Sequence, residues 1–100
     1  MYSTVRRYEG VKDAAETGRK IQEGFLPLMK KIPGFVAYYW ADAGGGIMVS
    51  TSIFESKAGA DESNRRAAEW VAKNLPGLFP SPPQITAGEV LVSDRMKAAA

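Results

Sequence analysis

Phe35-Val36-Ala37-Tyr38-Tyr39-Trp40-Ala41 and Ile47-Met48-Val49-Ser50-Thr51-Ser52-Ile53-Phe54 are the two stretches whose reading decides the fold. Successive side chains of a strand point to opposite faces. Strict alternation places Phe35, Ala37, Tyr39 and Ala41 on one side of a sheet, with Val36, Tyr38 and Trp40 on the other. Neither side is polar. The second stretch repeats this, with Ile47, Val49 and Ile53 opposed to Met48 and Phe54. Such a sheet has to be covered on both faces. The remaining sequence supplies two helices, enough for one face of a small sheet, so the other face is expected to pack against a second copy of the protein.

Asp42-Ala43-Gly44-Gly45-Gly46 joins the two strands. It suits an antiparallel hairpin whose turn needs positive φ. A phosphate cradle would need these glycines to open a helix carrying Lys and Ser/Thr; a strand follows instead.

Working outward, Tyr2 to Glu9 reads as a first strand, ended by Gly10. From there the period changes. Val11, Ala14, Ala15, Gly18, Ile21, Phe25, Leu28 and Ile32 recur at steps of three and four, one buried stripe of a helix. Gly24 weakens that helix and Pro27 removes a backbone donor, which predicts a kink or break near them. Pro33-Gly34 ends it.

Ser56 is a suitable N-cap for a second helix from Lys57 to about Asn74, closed by Leu75-Pro76-Gly77. Asp61 with Arg65, Glu62 with Arg66 and Glu69 with Lys73 are spaced to support its exposed side. The inner stripe reads Ala60, Asn64, Ala67, Ala68, Val71 and Leu75. Phe79-Pro80-Ser81-Pro82-Pro83 is a loop, and Ile85 to Ser93 a fourth strand.

The order β-α-β-β-α-β is the α+β ferredoxin-like unit: a four-stranded antiparallel sheet with both helices on one face. Right-handed crossovers place strands one and three in the centre. One domain over residues 1–93 is expected, with 94–100 as a tail.

Composition removes several chemistries. The 100 residues contain no cysteine and no histidine, hence no disulfide framework, no thiolate site and no Ser-His or Cys-His nucleophile pair. The 11 carboxylates form no cation-binding loop spacing, so no metal and no haem is expected. A net charge of +2, with the doublets Arg6-Arg7, Lys30-Lys31 and Arg65-Arg66 scattered, reads as solvated surface rather than a nucleic-acid footprint. The third strand also lacks the basic-Gly-aromatic start of an RNA-binding module. No stretch reaches transmembrane length and Met1 to Tyr8 lacks a signal-peptide core, so a cytoplasmic protein without membrane contact is expected.

Leu28-Met29-Lys30-Lys31-Ile32-Pro33-Gly34-Phe35-Val36-Ala37-Tyr38-Tyr39 resembles the helix-to-strand junction of antibiotic biosynthesis monooxygenase-like domains, the dimeric α+β barrel superfamily. Ile53-Phe54-Glu55-Ser56 and Gly88-Glu89-Val90 resemble it too, and the likeness spans roughly Tyr2 to Ser93. The resemblance implies a homodimer whose sheets face each other, and a cavity in each subunit between sheet and helices. It also implies one of several activities, including cofactor-free oxidation of quinols or polycyclic phenols.

A cavity of that kind needs apolar walls and a few hydrogen-bonding groups. Asn64, polar on an otherwise apolar stripe, is the first candidate, followed by Trp70, Tyr39 and Ser50. No general base stands out without histidine. The sequence therefore points to a dimeric protein that binds a small aromatic or apolar ligand and needs no cofactor, with a cofactor-independent monooxygenase as the alternative.

Overall fold

The computed structural model describes residues 1–77, 79 and 81–94, so most of the expected tail lies outside the described residues. The elements are β1 (Tyr2–Tyr8), α1 (Ala14–Lys20), a π-helical turn (Ile21–Phe25), α2 (Leu26–Lys30), β2 (Phe35–Gly44), β3 (Ile47–Phe54), α3 (Lys57–Asn74) and β4 (Gln84–Glu89). The sheet order is β2-β3-β1-β4, with every neighbouring pair antiparallel, so β1 and β3 are central as right-handed crossovers require. No helix among the described residues is long and apolar enough to cross a membrane.

The hairpin between β2 and β3 turns on Gly44, Gly45 and Gly46, with φ of 86°, 62° and 81°, and the Asp42 carboxylate accepts from the Gly44 N–H at 2.9 Å. Before it, β2 departs from strict alternation. Phe35 pairs with Phe54 and Ala37 with Ile53, so Val36 is an extra residue in a β-bulge. Phe35 consequently turns to the helix side together with Tyr38 and Trp40, instead of sharing a face with Tyr39 as simple alternation demands. Its ring meets Phe54 edge-on, with centroids 5.8 Å apart.

The expected kink in the first helix is a π-turn. The Leu26 N–H bonds to the Ile21 carbonyl, an i→i+5 closure, and Pro27 sits at the start of α2, where its missing N–H costs least. Thr17, Ile21, Phe25 and Met29 are all buried at steps of four. In a straight helix of 3.6 residues per turn such steps drift off the core face, and the wider turn brings them back into line. Met29 and Thr17 thus fill places that the regular period gave to Leu28 and Ala15. Gly24 is also more than a weak point. A Cβ there would come within 2.8 Å of the Trp70 ring, so the missing side chain makes room for that indole.

Helix α3 begins as the sequence indicates, with the Ser56 hydroxyl accepting from the Gly59 N–H at 3.4 Å. Gly59 lets it approach closely, since a Cβ would stand 2.8 Å from the Phe54 ring. Its buried residues are Gly59, Ala60, Ser63 and Ala67, while Ala68 is exposed, a correction by one position to the inner stripe. The exposed side carries Glu62–Arg66 as expected, but Arg65 pairs with Glu62 and Glu69, and Asp61 with Lys57. β4 ends at Glu89 rather than Ser93; beyond it Val90 N–H bonds the Met1 carbonyl at 2.9 Å and regular pairing stops.

Ile21, Phe25, Met29, Ile32, Phe54, Ala60, Ala67 and Leu75 form the main core, with Tyr8, Val11 and Met48 as a second cluster beside it. At about 1.5–3 kcal/mol for each large apolar side chain fully buried, this layer supplies most of the drive to fold.

Candidate functional site

The helix-facing side of the sheet is polar at its centre. From β1 it receives Thr4, Arg6 and Tyr8, and from β3 Met48, Ser50, Ser52 and Phe54, all buried. Register sets Arg6, Ser50 and Trp40 side by side across the sheet, with Thr4, Ser52 and Tyr38 in the next row. The small serines lie between large neighbours and leave room above β3. The Arg6 guanidinium occupies it, 1% exposed.

Arg6 is held by neutral oxygens. Its Nε donates to Ser50 Oγ at 3.0 Å and its Nη2 to Ser52 Oγ at 2.8 Å. From above, α3 offers Asn64 Oδ1 at 2.8 Å and Ser63 Oγ at 3.4 Å, both to Nη1. Thr4 Oγ1 also donates to Asn64 Oδ1, at 3.1 Å, and Ser63 Oγ donates to the Ala60 carbonyl at 2.6 Å. The Phe25 ring centroid lies 6.0 Å from the guanidinium carbon. Among the described residues no carboxylate forms an ion pair with Arg6, whereas Arg7, Arg19, Arg65 and Arg66 all have one.

Aromatic rings close the space beside this cluster. Phe79 stacks on Tyr8 at 4.6 Å and reaches Trp40 at 6.2 Å, while Phe25 touches Tyr38 at 5.8 Å and Trp70 at 5.5 Å. The chamber left between these six rings, Ile21, Ala67 and Val71 has a volume of about 10 Å³, scarcely room for one water. Outside Phe79 lies an open groove of about 360 Å³ between α3 on one side and Phe79, Ser81, Pro82 and Pro83 on the other. Tyr8, Ala67, Val71 and Phe79 line both spaces, so Phe79 is the partition between them.

Burial raises the Tyr8 phenol above its ordinary pKa, with the Arg6 charge pulling the other way. Tyr38 is pushed up to about 12 by burial, again against the pull of Arg6. Both phenols therefore keep their protons at neutral pH. The buried Nε1–H of Trp40 has no partner among the described residues.

Of the residues singled out from sequence, the structure brings Asn64 and Ser50 together on Arg6, and sets Trp70 in the chamber wall against Phe25. Tyr39 lies elsewhere, pairing with Thr51 on the opposite face of the sheet and 61% exposed. Ser52 shares the face of Ser50, as alternation in β3 requires, whereas Arg6 and Ser63 were not singled out from sequence. A signal for Arg6 existed, because two adjacent residues of a central strand cannot face the same side, so either Arg6 or Arg7 had to point inward. No group of three Asp or Glu among the described residues is placed to hold a metal ion.

No protein-family profile and no curated protein sequence matches the chain. Solved structures do match it. A Nitrosomonas europaea protein of unknown function, NE2512, superposes with a TM-score of 0.75 at 20% identity, covering 97% of this chain and 95% of that one. The monooxygenase from the gene ActVA-Orf6 of Streptomyces coelicolor, solved with the ligand nanaomycin D, gives 0.65 at 22% identity, covering 92% of each chain. A putative antibiotic biosynthesis monooxygenase of Nitrosomonas europaea gives 0.69 at 12%, covering 90% and 89%. The fold is that of the antibiotic biosynthesis monooxygenase-like proteins. Within this monooxygenase-like fold, fold alone does not choose an activity.

Proposed function

We propose that this chain, as a cytoplasmic homodimer, binds a small aromatic ligand between its sheet and helices. The observation that carries the reading is the polar cluster of Arg6, Ser50, Ser52, Ser63 and Asn64, set in the core beside six aromatic rings. Ligand sites combine apolar walls with a few fixed polar groups in this way. The groove beyond Phe79 offers the ring-sized volume that the inner chamber lacks. That the Streptomyces monooxygenase of this fold was solved with the ligand nanaomycin D supports a ligand-binding reading.

The other face of the sheet supports the dimer reading. Val5, Ala37, Val49, Thr51 and Ile53 are only half-buried there, and Tyr39 stands free. Leu91 and Val92, just past β4, are 86% and 89% exposed. A contiguous apolar surface of this kind marks an interaction site, and a second identical sheet is the complement the fold supplies. Light scattering at micromolar concentration tests it: a stable monomer would remove the dimer.

For the ligand, calorimetric titration of anthraquinones and naphthoquinones against the protein is the direct test. Saturable binding at one site per subunit is expected, and it should weaken in Ala68→Trp, which fills the groove. Failure of the whole panel to bind would remove the reading. The monooxygenase alternative draws on the cation beside an aromatic-lined space, where a phenol's anion would be stabilised before reacting with oxygen. Oxygen uptake with anthrone-like phenols decides it. The rings that fill the inner chamber favour binding without turnover.

A further inference from the structure

Phe79 stands between two spaces of very different size, the closed chamber of about 10 Å³ and the open groove of about 360 Å³. On the chamber side its ring lies within 29° of parallel to both Tyr8 and Trp40, with centroids 4.6 Å and 6.2 Å away. Rings at such separations attract one another beyond their simple burial. The slot beside Tyr8 and Trp40 is thus shaped for a flat aromatic, and the chain fills it with one of its own. On the groove side Ala67, Ala68, Val71 and Ala72 of α3 face the prolines Pro82 and Pro83. Among the described residues no charged side chain lines this groove.

We propose that Phe79 is the specificity-determining residue of the site: its ring holds the place that the innermost ring of a linear polycycle would take, and so sets how deep a ligand can reach. The proposal rests on the ligand-binding reading above and specifies the ligand's size. A ligand of two fused rings is seated wholly in the groove. A third ring finds the inward path taken by Phe79 and stays in water, where it adds no burial. The small side chains of α3 give the ligand a flat wall to lie on, but none of them limits its depth. Without the Phe79 ring, groove and chamber become one space, because Tyr8, Ala67 and Val71 already line both. The third ring then stacks on Tyr8 and Trp40 where Phe79 does now.

The test titrates 1,4-naphthoquinone and 9,10-anthraquinone, of two and three fused rings, against the wild-type protein, Phe79→Leu and Phe79→Ala. The chain has no cysteine to react with either quinone. In the wild-type protein the third ring is expected to improve affinity by less than about threefold, and in Phe79→Ala by at least about tenfold, the gain from burying one more ring. Phe79→Leu should fall between. Both affinities are measured on the same folded protein, so a loss of stability cancels from their ratio. A wild-type protein that already gains about tenfold from the third ring overturns the proposal and leaves aromatic binding intact, as does a folded Phe79→Ala whose ratio equals the wild-type one. No binding of either quinone to the wild-type protein or its variants removes the ligand-binding reading itself, and with it the site whose depth Phe79 sets. Should Phe79→Ala fail to fold, Phe79→Leu and the wild-type ratio remain decisive.

Discussion

The two faces of the central strands β1 and β3 are partly inverted in polarity. Their buried, helix-facing side carries Thr4, Arg6, Ser50 and Ser52 among Tyr8, Met48 and Phe54, whereas their half-exposed side carries Val5, Ile47, Val49 and Ile53 among Ser3, Arg7 and Thr51. A monomer shaped only by the need to hide apolar surface would do the reverse. The difference teaches that hiding apolar surface did not alone arrange this sheet: the inner face is built around a polar cluster, and the outer one leaves aliphatic side chains half-exposed.

Adjacent substitutions on β3 test this inversion most severely. Met48→Glu places a charge at a buried position against Tyr8 and Val11, and should cost more than about 4 kcal/mol, seen as loss of cooperative thermal unfolding. Val49→Glu, one residue on, should leave the fold intact and weaken the proposed dimer by about 100-fold or more, because a charge would have to be buried in the shared sheet face. Sedimentation reads the second effect. A folded, dimeric Met48→Glu protein, or an unfolded Val49→Glu protein, would show the faces to be wrongly assigned.

A milder pair sharpens it. Asn64→Ala leaves both Arg6 Nη1 and Thr4 Oγ1 short of their acceptor and should cost about 1 to 3 kcal/mol. On the outer face, Thr51→Ala should stay within about 0.5 kcal/mol in the monomer. Chemical denaturation of both variants below the dimer's dissociation constant makes the comparison; equal losses would mean that the inner hydrogen bonds carry no special weight.

Gly24→Ala separates helix propensity from packing. Propensity alone predicts a gain of about 0.5–1 kcal/mol, but the added methyl would meet Trp70, so a net loss of about 1 kcal/mol or more is expected in a thermal melt. A further effect concerns alkaline pH. Tyr38 titrates near 12 when folded, against 10.0 as a free phenol, so the unfolded chain gives up this proton first. Stability is then unaffected below pH 10 and falls between about 10 and 12, with Tyr8 acting in the same direction. Absorbance of tyrosinate beside circular dichroism checks that the late-titrating phenols ionise together with unfolding.

Most of the architecture was legible because hydrophobic period and turn chemistry are local. Ser56 capping α3 and the glycines of the β2–β3 hairpin needed no tertiary information. What escaped were single-residue insertions into regular elements, Val36 in β2 and the π-turn before α2, since each changes the phase by an amount that periodic templates assume to be zero. The centre of the site escaped for another reason. Arg6 beside Arg7 looks like surface charge, and only the register with Ser50 and Ser52 and the descent of Asn64 from α3 make its burial possible. Those partners lie more than forty residues away in sequence, where no local pattern reaches.

The π-turn makes the length of its helix a discrete setting. Deleting one residue between Ile21 and Phe25 would let ordinary α-helical bonding resume and turn everything before it by about 100° about the axis. Gly18 would swing away from the Trp40 ring it now faces, and Thr17 would leave the core for the side. Core residues of that helix can be exchanged for others of similar volume, but loss or gain of a single codon there would amount to a change of design, re-addressing every side chain on the first helix at once.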